Sequence, residues 1–285
     1  MKSLVNLAIA ALLAVPAGAA MADAYGSGGM GQITITLIDL DPDDGIAPSL
    51  SFAAGADFNG PHLYGYVRAS TPDEDIYREF ERIGQTQASG ISGGSSTAWS
   101  SASGSASGTA GLGYGPMTVQ GSALSGADAS GVFYSLIYGS GAQFTLSAHT
   151  AVSFSVDGWA HGQTTLGGDP DTGFDEAGGA LLELELGGTA TDGSLTWDRQ
   201  QGYAVARYTL DANGLVIGTT EDWSGRLSVS YANMADASAD GIFLAKLSAS
   251  GYSVAAAPVP EPQSAALLLG GLALLALGRR RARQA

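Results

Sequence analysis

The sequence contains no cysteine, which excludes a disulfide framework and any thiolate metal site. It is also poor in positive charge. Twelve lysines and arginines stand against 27 aspartates and glutamates in 285 residues, for a formal net charge of −15. Five of the twelve are terminal: Lys2, Arg279, Arg280, Arg281 and Arg283. Residues 25–258 therefore hold 7 basic against 25 acidic side chains, a net of −18. Such a surface repels nucleic acid and anionic lipid and excludes nucleic acid as a partner; it favours divalent cations. Histidine is scarce, with His62, His149 and His161 scattered along the chain, so little material exists for a histidine metal site or a histidine base. No repeat of 20–50 residues is evident, and no apolar run reaches the ~20 residues of a stable membrane span.

What is present begins at the two ends. Lys2 is followed by an apolar run from Leu4 to Val15, and Pro16 and Gly18 break it. Ala20-Met21-Ala22 and Ala22-Asp23-Ala24 are both small-x-small cleavage sites. Residues 1–24 are thus expected to be a secretory signal peptide, cut after Ala22 or Ala24. At the other end, Ala265–Leu277 is 13 residues long without charge or proline. As a helix at about 1.5 Å per residue it spans roughly 20 Å, against a hydrocarbon core of about 30 Å. Arg279, Arg280, Arg281 and Arg283 hold its end on the cytoplasmic side. Pro260 and Pro262 interrupt any helix entering from the body and leave Glu261 extended and open to an enzyme. The expected domains are a body over 25–254, a linker over 255–262, and a hydrophobic helix with an arginine-rich end over 263–285.

Val259-Pro260-Glu261-Pro262, a short spacer, a Leu/Ala/Gly helix and an arginine-rich end stand in register. This order resembles the PEP-CTERM sorting signal of Gram-negative bacteria, over about a tenth of the chain. The resemblance implies recognition by an exosortase, a membrane transpeptidase-like protease. It implies a transient inner-membrane intermediate with the body in the periplasm, loss of the tail, and delivery of the body to the cell surface or extracellular matrix.

The body reads as strands. Ile33, Ile35 and Leu37 alternate with Thr34 and Thr36. Ser101–Ala110 places Ser or Thr at every odd position and Ala or Gly at every even one, a strict period of two that fits a closely packed or edge strand better than a linker. Leu182, Leu184 and Leu186 alternate with Glu183 and Glu185, and Leu227, Val229 and Tyr231 with Ser228 and Ser230. Asp211-Ala212-Asn213-Gly214 marks a hairpin. One helix is expected near 72–83: Thr71-Pro72-Asp73-Glu74 resembles an N-terminal cap, with Ile76, Phe80 and Ile83 at helical spacing behind it. The predicted fold is all-β, an antiparallel, jelly-roll-like β-sandwich.

The acidic turn after the second strand is the best candidate for chemistry. Asp39, Asp41 and Asp43 stand at alternate positions, with Asp44 and then Gly45 behind them, close to the start of a calcium loop. Asp44 takes the usual glycine position, Pro42 stiffens the turn, and the twelfth position is Leu50 rather than glutamate. It is therefore not an EF-hand, and the competing reading is an acidic turn whose aspartates cap backbone N–H groups. Asp169–Glu176 is a second acidic turn. Gly90-Ile91-Ser92-Gly93-Gly94 fits the nucleophile-elbow expression, but it lies in Gly/Ser-rich sequence without the strand and helix that the motif needs. No catalytic residue and no organic cofactor are assigned. Trp99, Trp159, Trp197 and Trp223 are core candidates or, on a sandwich face, a sugar-stacking platform. The expected function is that of a non-enzymatic exported protein of the cell surface or an exopolysaccharide (biofilm) matrix. The alternatives are an extracellular carbohydrate-binding module and, third, a secreted hydrolase.

Overall fold

The computed structural model describes residues 22–52, 62–83, 90–107, 115–126, 129–139, 141–166, 175–190 and 193–254. The expected leader lies outside these residues except for its last three, and the sorting tail lies outside them entirely. Asp169–Phe174 of the second acidic turn and the end of the Ser101–Ala110 alternation are also outside.

The described chain is all strand and turn. The strands are β1 (Ala22–Met30), β2 (Thr34–Asp39), β3 (Leu50–Phe52), β4 (His62–Ser70), β5 (Asp75–Ile83) and β6 (Ile91–Ser96). They continue with β7 (Ser100–Ala106), β8 (Met117–Ser125), β9 (Ser130–Tyr138), β10 (Ala142–Leu146), β11 (Thr150–Thr164) and β12 (Asp175–Thr189). The last are β13 (Leu195–Ala206), β14 (Tyr208–Leu210), β15 (Val216–Gly218), β16 (Thr220–Asn233) and β17 (Ala239–Val254). A seven-stranded sheet has the order β16-β11-β1-β8-β7-β6, with β2 also on β11. An eight-stranded sheet has the order β13-β12-β17-β9-β4-β5, with β10 on β17 and β3 on β10. Every pairing is antiparallel. β14 and β15 form the separate hairpin expected at Asp211–Gly214, closed by the Asp211 carboxylate on the N–H groups of Asn213 and Leu215 and by Gly214 at φ 78°.

The two sheets pack over one core, and the alternation seen in sequence selects its members. Leu182, Leu184 and Leu186 are fully buried, and Leu227, Val229 and Tyr231 on β16 are buried with them. Phe154 of the seven-stranded sheet stacks on Phe243 of the eight-stranded sheet, with ring centroids 4.2 Å apart and planes 12° apart, which ties the layers together at the centre. At one end the sheets touch backbone to backbone. A Cβ on Gly26 would collide with the main chain of Gly179, and one on Gly178 with that of Tyr25. Packed sheets ordinarily lie about 10 Å apart; glycine permits this local pinch between β1 and β12. The Ser/Ala/Gly alternation is β7, whose Ser101 and Ser105 pair with the hydroxyls of Ser122 and Thr118 on β8.

The helix expected near 72–83 is instead β5, the edge strand paired with β4. Thr71-Pro72-Asp73-Glu74 does form a capped turn: Thr71 N–H donates to the Glu74 carbonyl and Glu74 N–H to Thr71 Oγ1. That turn joins two strands, however. Ile76 and Phe80, four apart, share one face of a strand as readily as one face of a helix, and pairing with β4 decides between them. Gln143–Val156 also breaks in two, β10 and β11, at His149, whose φ is 47°.

β1 begins at Ala22, and Ala24 within it is fully buried. Asp23 is joined to the loop after β11 through its N–H to Thr165 Oγ1 and its carbonyl to Thr165 N–H.

Candidate functional site

The Asp39–Gly45 turn connects β2 to β3 and lies against the β10–β11 junction. Its carboxylates first serve their own backbone. Asp39 Oδ1 accepts the Asp41 N–H at 3.1 Å, Asp41 Oδ1 the Asp43 N–H at 3.3 Å, and Asp44 Oδ1 the Ile46 N–H at 2.6 Å. These are Asx turns, the competing reading of the motif. The second oxygen of Asp44 lies 2.6 Å from His149 Nδ1, and Asp236 lies 3.0 Å from His149 Nε2. Two carboxylates beside an imidazole favour its protonated form. The hydrogen bond that His149 Nδ1 donates to Asp44 is the main cause of the raised His149 pKa; partial burial opposes it, and Asp236 reinforces it. The Ile46 N–H and then His149 lower that of Asp44.

Ligand atoms of Asp41, Asp44 and His149 all lie within 4.8 Å of one another. These three could hold a metal, whereas Asp39 and Asp43 do not join the group. An imidazole among the donors suits zinc-like ions better than calcium, which takes oxygen ligands. His149 was missed in the sequence because it is 105 residues from Asp44.

The outer face of the eight-stranded sheet carries most of the remaining polar chemistry. On β12, Glu183 is almost fully buried although it points outward. It accepts from Arg199 Nη2 and Gln201 Nε2, both at 2.7 Å. Burial disfavours its charge, but hydrogen bonds from Glu185, Arg199 and Gln201 outweigh that and hold its pKa below the usual range. Glu185 is pushed up by its hydrogen bond with Glu183 and by burial. On β4, β5 and β9, His62 Nε2 lies 2.6 Å from Glu81 and Nδ1 bonds the Tyr138 hydroxyl. Burial raises the Tyr138 pKa and Glu81 adds to it, so this phenol is not activated as a nucleophile. Tyr77 donates to Glu79 at 2.5 Å, and that bond raises its pKa.

His161 pairs with Asp222 at 2.7 Å on the other sheet. Ser92 is exposed in the edge strand β6, not on a strand-to-helix turn. Of the tryptophans, Trp223 packs against the core, while Trp159 and Trp197 are 43 % and 55 % exposed on opposite outer faces. Each indole lies over a glycine, Gly29 and Gly187 respectively.

The sorting residues Val259, Pro260, Glu261 and Pro262 and the cluster Arg279, Arg280, Arg281 and Arg283 lie outside the described residues. Comparison with protein families nevertheless reaches them. The model of the PEP-CTERM protein-sorting motif matches residues 258–283. The chain carries a PEP-CTERM sorting tail. The tail implies an exported protein, sorted through a membrane-anchored stage to the cell surface, with an exosortase as its processing partner. No curated protein sequence matches the chain.

Proposed function

We propose that the body is a non-enzymatic protein of the cell surface or exopolysaccharide matrix, exported by its leader and freed from the inner membrane by removal of its tail. The matched tail at 258–283, behind an acidic cysteine-free sandwich, carries this reading. A non-enzymatic role is supported by the way the described imidazoles and outer-face carboxylates are tied to one another. The leader ends after Ala22: cleavage there keeps the buried Ala24 and the Asp23–Thr165 hydrogen bonds in β1, and cleavage after Ala24 would remove them. In a host with an exosortase, the wild-type body leaves the membrane fraction. Glu261→Ala and Pro262→Ala retain full-length protein there; equal release of both variants would defeat the proposal.

A second reading, an extracellular carbohydrate-binding module, is favoured by the two exposed indoles lying over glycines, since a flat exposed aromatic face suits the C–H face of a sugar. Calcium, the ion expected for Asp39, Asp41, Asp43 and Asp44, would have to be held by Asp41 and Asp44, since Asp39 and Asp43 stand outside the group. A higher melting midpoint with calcium than with chelator supports it, and an unchanged midpoint removes it.

A further inference from the structure

We infer that the trough across the outer face of the eight-stranded sheet, walled by Tyr66, Tyr134 and Tyr252 and floored by Gly179 and Ser250, binds an uncharged polysaccharide chain. This rests on the carbohydrate-binding reading and locates its site.

The residues come from separate parts of the sequence and are brought into line by register alone. Tyr66 on β4 faces Tyr134 on β9, Tyr134 faces Ser250 on β17, Ser250 faces Gly179 on β12, and Gly179 faces Val205 on β13. This row runs across the strands, and at about 4.8 Å per strand it extends roughly 19 Å. Tyr66 and Tyr134 form an offset stack, with centroids 5.6 Å apart and planes 28° apart, and Tyr77 extends it at 5.5 Å from Tyr66. Beyond Tyr134 the side chains become short. Ser250 and Gly179 leave a trough of about 390 Å³, with Tyr252, Val205 and Arg207 also lining it. Its floor lies over the pinch. The same β12 stretch, Gly178 and Gly179, meets β1 backbone to backbone on the inner side, so the close approach that closes the sandwich also recesses its surface.

The occupant follows from charge and shape. Among the described residues lining the trough none is acidic, and Arg207 is the only cation. A polycation finds no carboxylate in that lining, and Asp175 beside it already accepts the Tyr252 hydroxyl at 2.7 Å. A polyanion must approach a chain of net charge −15 and is repelled at long range. A neutral pyranose chain meets neither obstacle. Its C–H faces match the tyrosine rings and its hydroxyls match Ser250, Ser248 and the Tyr252 hydroxyl, which is already oriented by a 2.7 Å bond to Asp175. An extended chain also suits a trough that is open along its length rather than a closed pocket.

The test is affinity electrophoresis of the full chain in mild detergent, in native gels cast with hydroxyethyl cellulose, galactomannan, dextran or alginate. At least one neutral polymer retards the wild type and alginate does not. Tyr134→Ala weakens that retardation about tenfold, on the scale of one lost aromatic stack. Ser250→Arg, a change at an exposed floor position, abolishes it, while Ser105→Arg on the opposite outer face leaves it unchanged. Thermal melts of the variants separate lost binding from lost folding. Retardation by a neutral polymer that survives both trough changes but is lost in Trp197→Ala or Trp159→Ala would overturn the trough and keep the carbohydrate-binding reading. Retardation by no neutral polymer would overturn both.

Discussion

The two outer faces of the sandwich are made of different material. On the seven-stranded sheet Ser, Thr and Gly are common at outward positions, and neighbouring strands are linked by hydroxyl pairs, Ser101–Ser122, Ser105–Thr118 and Ser153–Ser228 at 2.9, 2.9 and 3.0 Å, with the ion pairs Arg226–Asp157 and His161–Asp222 gathered on β11 and β16. On the eight-stranded sheet the outward positions hold tyrosines and charged groups, joined as Tyr77–Glu79, His62–Glu81, Arg68–Asp75 and Arg199–Glu183. Both faces cover the same core, so burial does not explain the contrast. Small hydroxyls satisfy a sheet surface while offering a ligand little contact area. Aromatic rings and ion pairs offer area and direction, at a cost in desolvation and side-chain entropy. The proposed trough accordingly lies on the eight-stranded sheet, where the tyrosine row is found.

The largest expected effect is the one that removes both faces together. Phe243→Ala deletes the ring that stacks on Phe154 between the sheets and should cost about 3–5 kcal/mol, read by denaturant unfolding with one transition for the whole body. Two separate transitions would break the claim of a shared core. Next, Glu183→Gln removes the charge that holds Arg199 and Gln201 and should cost about 1.5–3 kcal/mol at pH 7. Because the folded Glu183 pKa is depressed, its contribution is present above the unfolded glutamate pKa and is lost as pH falls through the folded one. The variant's deficit should therefore shrink in acid. On the other face, Ser101→Ala should cost only about 0.5–1.5 kcal/mol, with no pH dependence. A deficit equal to that of Glu183→Gln would erase the contrast between the faces.

The smallest effect lies at the end of the sandwich, where Asp44 and Asp236 hold His149. The His149 pKa is raised, so this clamp stabilises fully below the unfolded histidine pKa of about 6.5 and is lost as pH rises through the folded value. His149→Asn keeps a side chain that tolerates the left-handed backbone. Melting midpoints of wild type and variant should differ at pH 6 and converge as the pH rises; a constant gap would show that the clamp does not depend on the proton.

Much of the sandwich was legible because a half-buried strand records its own orientation. Leu182-Glu183-Leu184-Glu185-Leu186 announces which side is core, and β7 announced itself through small residues alone. The segment at 72–83 was not legible, since Ile76 and Phe80 satisfy either period and the Thr71–Glu74 turn caps a strand connection as well as a helix. The Asp39–Asp44 turn could be found, but not its partner His149. The tyrosine row was invisible for the same reason: Tyr66, Tyr134 and Tyr252 sit on three strands far apart in sequence and meet only through register. The sorting motif at 258–283 was legible because a sorting signal is a linear pattern read by an enzyme.

In the proposed function both ends are removed and the sandwich is what remains to work. Intact mass of the protein recovered from the surface of an exosortase-bearing host tests it directly. The expected product begins at Asp23 and lacks the Ala265–Leu277 run and the arginines behind it. A mass that retains the tail through Ala285 would contradict it.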